Sequence, residues 1–267
     1  ELILLVVLSI IIKLSITYLF YSIMNVISPN KINYLDITSV HLQGGLINQI
    51  LPGLGHIFRY YKLNLYSKIT LLSYSITQTI WSLNSLFVYF FAASILGFLA
   101  ITIYIKLFFF ITLIIITLIL ILKFRYKFYN FIKKIFLKYE KKFHFINDLK
   151  TIKKLLFRNR RKLFFIFNGF IILIIFECFV FNKALSLFGI EISLWNSSFI
   201  FITATLLTTL ALINFFGFFE IIITLSAAIF VPEIEDMLIF TINLRIINLF
   251  SLILCIIKVS IFKRIIR

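Results

Sequence analysis

Long apolar runs without regular polar interruption dominate the chain. Between Ile69 and Ile105 there is no Asp, Glu, Lys or Arg, and the run from Leu107 to Leu122 is again uncharged. A bilayer crossing needs about 20 apolar residues, so the stretch from Ile69 to Leu122 holds two crossings. Lipid offers no hydrogen bonds to unpaired backbone groups, so a spanning segment must be a helix or part of a closed barrel. Barrel strands alternate apolar and polar residues, and these runs do not. The pattern therefore predicts membrane-spanning helices.

Composition strengthens this prediction. Hydrophobic residues make up 62% of the 267 positions, charged residues make up 14%, and the mean hydropathy is +1.09. Soluble domains average about 45–50% apolar and about 25% charged residues. We therefore predict an all-α polytopic integral membrane protein with about five to six spanning helices. The sequence starts at Glu1 and is apolar from the next residue onward, so we expect a chain that lacks the N-terminal part of a larger protein.

Positive charge is concentrated in one segment. The net charge is +17, and 15 of the 27 Lys and Arg lie between Lys123 and Lys162. Between membrane spans this pattern indicates a cytoplasmic loop rather than a nucleic-acid site, and the basic C-terminus indicates the same side. Apolar residues recur in the segment at helical spacing, which predicts an amphipathic helix at the membrane surface. A solvated linker that only sets topology remains the alternative.

The chain after the basic segment leaves the cytoplasmic side and returns to it at the last helix, and the part between either crosses an even number of times or dips in and returns. The run from Leu163 to Asn182 leaves the cytoplasmic side, and the last helix, about Met237 to Phe262, returns to it. Segment 196–231 therefore begins and ends outside. Its arms, about 196–213 and 217–231, are short for a bilayer at about 1.5 Å per residue, so we predict a re-entrant helical hairpin.

The stretch GGLINQILPGLGHIFRYYK, Gly44 to Lys62, has the same form at the cytoplasmic face. It belongs to a predicted re-entrant hairpin, 36–66, whose two arms are interrupted at Pro52 and Gly53. Hairpins that enter from opposite faces are typical of transporters with inverted repeats.

The hairpins divide one membrane domain, 1–267, into three parts. Residues 1–122 form a first half, residues 123–162 form the basic interfacial segment, and residues 163–267 form a second half.

Three segments resemble the lysylphosphatidylglycerol synthetase transmembrane-region family. The first resembles a family motif that reads roughly N-x-x-L-P-G-x-G-x-x-x-R, whose positions are occupied here by Asn48, Pro52, Gly53, Gly55 and Arg59. NFFGFFEIIITL is similar to a glycine turn followed by a glutamate, here Gly217 and Glu220. NLRIINLFSLI is similar to the closing helix, with Arg245 at its arginine position. The resemblance covers nearly the whole chain.

Members of that family are flippase-like membrane proteins, some of which accompany glycosyltransferases that use lipid-linked sugars. The resemblance implies a cell-membrane protein that binds or translocates an anionic or lipid-linked headgroup through these eight residues, with membrane lipids as its partners. A membrane partner or scaffold of a glycosyltransferase acting on polyprenyl-phosphate-linked sugars, or a membrane transferase, is the alternative. The sequence has no acidic pair, acyltransferase motif or metal-ligand cluster, so we predict neither enzyme activity nor a cofactor.

Six ionisable residues lie at expected membrane depth: Lys13, Arg59, Lys106, Glu177, Glu220 and Arg245. Each costs about 2.5–3.5 kcal/mol on insertion scales if it faces lipid. We expect Arg59, Glu220 and Arg245 to line one polar cavity, with the carboxylate compensating at least one arginine. We expect Glu177 at the outer interface, and Lys13 and Lys106 either to snorkel or to act in the site. The N–H groups exposed at the Pro-Gly break are expected to join Arg59 in binding phosphate.

Overall fold

The computed structural model describes residues 2–28, 32–51, 53–100, 143–211, 218–227, 230 and 234–266. These residues form nine α-helices and contain no β-strand, which confirms the all-α fold class. The helices are α1 (Leu2–Ile27), α2 (Tyr34–Ile50), α3 (Leu54–Ser67), α4 (Leu71–Ala100), α5 (Phe143–Arg158), α6 (Arg160–Leu187), α7 (Leu194–Ala211), α8 (Phe218–Ala227) and α9 (Ile234–Ile266).

Four of the described helices, α1, α4, α6 and α9, are long and apolar enough to cross a membrane. Two of them extend beyond the predicted apolar runs, since α6 begins at Arg160 and α9 ends at Ile266. A helix gains one backbone hydrogen bond for each residue that is added to it, so it continues into the polar residues that flank the apolar run. The second crossing expected before Leu122 and the basic stretch 123–142 lie outside the described residues.

The outer surface of these helices is apolar. On α6, Ile172, Ile175 and Phe179 are all more than half exposed, and they recur at helical spacing. Helix α9 also has exposed apolar residues at helical spacing, namely Ile239, Ile242, Ile246, Phe250, Ile253 and Ile257. Contiguous apolar stripes of this length are rare on soluble monomers, whereas the acyl chains of a bilayer accommodate them. The apolar helices thus indicate a membrane-embedded protein.

Helix α1 lies at the centre of the described fold. It packs against α2, α4, α5, α6 and α9. Helices α2 and α3 pack against each other on one side, and α7 packs against α8 on another. Helix α9 contacts both pairs through α2 and α8. Both helix pairs therefore pack against α9, and a binding site can lie between the two pairs.

The α2–α3 pair is a helical hairpin with a defined break. Asn33 caps α2 by accepting a hydrogen bond from the Leu35 N–H at 3.0 Å. Helix α2 ends at Ile50, two residues before Pro52, in keeping with the steric restriction that a proline imposes on the residue that precedes it. Gly53 then adopts φ +86°, which favours glycine, and α3 begins at Leu54.

Glycines set the separation of the two hairpin helices. A Cβ on Gly55 would collide with the carbonyl oxygen of Gly44, and a Cβ on Gly44 would lie 2.9 Å from the Gly55 carbonyl oxygen. Only residues without a side chain allow the two backbones to approach this closely. The hairpin arms were predicted, and their helices and break are confirmed. That the hairpin enters and leaves the membrane on one face stays a prediction.

Helix α5 is the described part of the basic segment. Over residues 151–158 its apolar face packs on the core, with Ile152 4% exposed, while Lys153 and Lys154 are exposed. Its C-terminal end meets α6 at a turn formed by Asn159. The predicted amphipathic helix is therefore present in this part of the segment.

Candidate functional site

A cavity of about 420 Å³ lies among the helices. Every described helix except α5 contributes to its wall. The polar and glycine residues of the wall are Lys13, His41, Gly45, Gln49, Arg59, Tyr89, Glu177, Thr205, Thr208, Thr209, Glu220, Thr241, Arg245 and Asn248. Ligand pockets commonly measure about 300–1,000 Å³, so the cavity has room for a lipid headgroup.

Arg59 reaches the cavity from α3 by crossing α2. A Cβ on Gly44 would lie 2.6 Å from the Arg59 Nε, and one on Gly45 would lie 3.6 Å from its Nη2. The side chain therefore runs over the two glycines, and it is 8% exposed. No described residue forms an ion pair with Arg59, and its Nε is buried without a hydrogen-bond partner. The guanidinium is thus a buried cation that the described protein does not neutralise.

Arg245 is neutralised by Glu220. The Nη1 of Arg245 on α9 donates to the Glu220 Oε1 on α8 at 2.5 Å. Glu220 is 5% exposed, so the carboxylate sits largely out of solvent. An ion pair with this geometry removes most of the cost of burying either charge alone.

Arg59, Glu220 and Arg245 therefore line one cavity, and Glu220 compensates one of the two arginines. This part of the sequence prediction is confirmed. The depth of the cavity in a membrane and the binding of a headgroup stay predictions.

A second polar cluster consists of Lys13, Tyr89, Glu177 and Asn248, which line the same wall, and of Ser9 behind them. The Nζ of Lys13 donates to the Ser9 Oγ at 2.9 Å and to the Asn248 Oδ1 at 3.0 Å. Ser9 donates to the same Asn248 oxygen at 2.7 Å. The Tyr89 hydroxyl donates to the Glu177 Oε2 at 2.9 Å. We name this set the Lys13–Glu177 cluster.

The cluster bears on two expectations about intramembrane charges. The Glu177 carboxylate lines the cavity from α6, ten residues before that helix ends at Leu187, and its expected position at the outer interface stays a prediction. Lys13 does not snorkel to a helix end, since Ser9 and Asn248 hold its ammonium in the interior. Lys106 lies outside the described residues.

Asn48, Gly53 and Gly55 do not line the cavity; they build the hairpin break. The Asn48 Oδ1 accepts from the N–H groups of Gly53 at 2.9 Å and Gly55 at 3.2 Å. The Leu54 and His56 N–H groups donate to the carbonyls of Leu51 and Gly53. The expectation that unpaired N–H groups at the break bind phosphate is therefore wrong, since the chain itself satisfies them. Pro52 and Gly217 lie outside the described residues.

Several wall residues escaped the sequence prediction, namely Tyr89, Asn248, His41, Gln49 and the threonines. A signal for some of them was present on α9, where Thr241, Arg245 and Asn248 recur at helical spacing within an apolar helix. Residues at this spacing share one face, which the structure turns toward the cavity. The threonines of α7, Thr205, Thr208 and Thr209, follow the same rule.

The chemistry of the wall is that of hydrogen bonding and charge. Among the described residues, no three His, Cys, Asp or Glu side chains are grouped closely enough to hold a metal ion. Three cationic side chains, Lys13, Arg59 and Arg245, stand against two carboxylates, Glu177 and Glu220. The wall therefore carries one more formal positive charge than negative. No protein-family model, curated protein or solved structure matches this chain.

Proposed function

We propose that this chain is a flippase-like integral membrane protein that binds the anionic headgroup of a lipid or lipid-linked substrate and moves it between leaflets. The observation that carries the proposal is Arg59, which is buried in the cavity wall and has no acidic partner among the described residues.

An unpaired buried arginine favours an anion as its partner. Leaving a charge uncompensated in a low-dielectric site is costly, and the guanidinium stays protonated rather than neutralising itself. Its planar N–H groups match two oxygens of a phosphate, which makes a phosphate headgroup the best-fitting anion. Glu220 does not take the place of this anion at Arg59, because its carboxylate forms an ion pair with Arg245.

The arrangement of the two helix pairs supports transport rather than static binding. Helices α2–α3 and α7–α8 are short, flank the cavity and pack on the shared helix α9. In the proposal they are re-entrant hairpins from opposite faces of the cell membrane, and rocking of one half against the other exposes the headgroup site in turn. The basic segment and the C-terminus face the cytoplasm.

Helix α5 is proposed to lie on the cytoplasmic leaflet. Its exposed residues Lys153, Lys154 and Phe157 combine positive charge with an exposed aromatic ring. Basic side chains near an anionic leaflet contribute about 1 kcal/mol each to binding. In the proposal, this contact orients α5 parallel to the membrane surface.

A leaflet assay with purified protein tests the function. Wild type in vesicles should move a fluorescent phosphate-bearing lipid between leaflets and bind it in a titration without any partner enzyme. Arg59→Gln should weaken binding at least tenfold, since charge-assisted hydrogen bonds contribute about 1.5–3 kcal/mol. Arg161→Gln, which removes an exposed arginine of α6, is the matched control and should leave both activities unchanged. Equal binding by Arg59→Gln and wild type contradicts the proposal.

Cysteine labelling tests the re-entrant hairpins. Cysteines at positions 54 and 214, near the two turns, should react poorly with membrane-impermeant reagents. Cysteines at positions 31 and 193 should react from opposite faces. A turn that is labelled from the face opposite its flanking residues would mean that the hairpin spans the bilayer, and the inverted arrangement would be excluded.

A further inference from the structure

The Lys13–Glu177 cluster has chemistry that an anion site does not need. It gathers side chains from α1, α4, α6 and α9 around the cavity that also holds Arg59. Its two charges are opposite, so the cluster is formally neutral and does not add to the attraction of a phosphate.

The two charged groups of the cluster face one cavity without forming an ion pair. Lys13 is held by Ser9 and Asn248, and Glu177 is held by Tyr89. No contact within ion-pair distance joins Lys13 to Glu177 in the described part of the chain. Neutral partners thus hold each of the two charges.

The hydrogen-bonding capacity of the pair is incompletely used. An ammonium has three N–H donors, and Lys13 directs two of its contacts to Ser9 and Asn248. A carboxylate accepts at both oxygens, and Tyr89 occupies only the Oε2 of Glu177. A group that both accepts from Lys13 and donates to Glu177 satisfies the two at once.

A hydroxyl is the simplest group of this kind. A second phosphate would be repelled by Glu177, and a cationic group would be repelled by Lys13. An apolar group would leave a donor and an acceptor desolvated and unpaired. We infer that the Lys13–Glu177 cluster binds a hydroxyl on the same ligand whose phosphate contacts Arg59, so that the substrate class is a phosphate headgroup with an uncharged hydroxylated substituent. This inference rests on the proposed function and narrows it.

Two anionic lipids of equal charge and nearly equal size test the inference. Phosphatidyl-ethylene glycol ends in a hydroxyl, and phosphatidylpropanol ends in a methyl group at the same place. Each is titrated into the full chain in nanodiscs of neutral phosphatidylcholine. Wild type should bind the hydroxylated lipid about tenfold more tightly, because hydrogen bonds to charged groups lose strength when one partner is absent. This comparison needs no substitution.

A charge-balanced double variant assigns the preference to the cluster. Lys13→Met together with Glu177→Met removes both charges of the cluster and leaves its net formal charge at zero. The preference of this variant for the hydroxylated lipid should fall to about onefold. Asp36→Asn with Lys263→Met removes an oppositely charged pair outside the cavity and should keep the preference.

The possible outcomes separate the two proposals. Equal affinity of wild type for both lipids, with both weakened by Arg59→Gln, overturns the hydroxyl site and keeps the phosphate site. Insensitivity of both lipids to Arg59→Gln overturns the proposed function. A preference that persists in the Lys13–Glu177 double variant overturns the assignment to this cluster.

Soluble competitors distinguish a lipid from a free phosphate ester. 2-Hydroxyethyl phosphate and propyl phosphate should compete only at concentrations at least about tenfold above those at which the lipids bind, because they have no acyl chains. Competition by 2-hydroxyethyl phosphate at the concentrations at which phosphatidyl-ethylene glycol binds would support the hydroxyl site but overturn the lipid assignment.

Discussion

The cavity wall contains two arginines in opposite electrostatic situations. Arg245 on α9 donates to Glu220 at 2.5 Å, so its charge is compensated within the protein. Arg59 on α3 is buried, yet no described residue supplies it with a carboxylate. The same side chain therefore serves two purposes: the pair joins α8 to α9, and the unpaired guanidinium leaves a positive charge for a ligand.

This difference predicts which substitutions damage the fold and which damage binding. Removing one member of a buried ion pair leaves the other charge unpaired, which costs about 3–5 kcal/mol. Removing a charge that has no partner leaves nothing unpaired behind. Stability should therefore be sensitive at Glu220 and insensitive at Arg59, with the reverse order for headgroup binding.

Glu220→Gln should give the largest loss of stability. The substitution keeps the shape of the side chain but leaves Arg245 with no compensating charge at this contact, and we expect a loss of about 3–5 kcal/mol in the free energy of unfolding. Unfolding in mixed micelles, followed by circular dichroism, measures it. Arg59→Gln is the comparison and should stay within about 1 kcal/mol of wild type. Equal losses in the two variants would contradict the division of roles.

Gly55→Ala should cause the next largest loss. The added Cβ would collide with the Gly44 carbonyl oxygen and lie 2.9 Å from the Asn48 side chain, and neither helix can yield without separating the hairpin. Overpacking of this kind costs about 1–3 kcal/mol.

Gly45→Ala is the matched control for that variant, since its Cβ would meet only the Arg59 Nη2 at 3.6 Å, an ordinary contact. It should be neutral or stabilising by up to about 1 kcal/mol through helix propensity. If both alanines are tolerated in the same unfolding assay, the close crossing of α2 and α3 does not contribute to stability.

The helices could be predicted from sequence because their signals are local. Apolar runs mark α1, α4, α6 and α9, and Pro52 with Gly53 marks the break between α2 and α3. Helix ends were less accurate, as α6 shows, since a helix continues past its apolar run wherever backbone hydrogen bonds continue.

The site was partly predictable for a similar reason. A charge in an apolar helix requires a polar environment, which predicted the convergence of Arg59, Glu220 and Arg245 on one cavity. Sequence could not decide which arginine Glu220 contacts, because that depends on the packing of α8 against α9. It also could not show that Asn48 occupies the N–H groups of Gly53 and Gly55, since this contact forms only when the hairpin closes.

Arg59→Lys sharpens the comparison by keeping the charge and changing its geometry. Lysine retains the positive charge but offers no planar fork for two phosphate oxygens, and its shorter reach places the ammonium differently over Gly44 and Gly45. We expect it to lose about tenfold in headgroup affinity, close to the loss in Arg59→Gln, with unfolding stability unchanged. Full recovery of lipid binding by Arg59→Lys would mean that charge alone is recognised.

The ion pair at the edge of the fold should give the smallest effect. Lys263 at the end of α9 contacts the Asp36 Oδ1 at 2.6 Å and lies 4.6 Å from the centre of the Tyr66 ring. Both charged side chains keep some solvent contact, at 18% and 16% exposure, so water screens the pair more than it screens Glu220 and Arg245. Lys263→Met should therefore lower the free energy of unfolding by only about 1 kcal/mol, combining a weak ion pair with a cation–π contact. The difference between wild type and Lys263→Met should shrink as salt is raised, whereas the loss in Glu220→Gln should persist. A loss at Lys263 as large as that at Glu220 would mean that burial does not determine how strongly these ion pairs stabilise the fold.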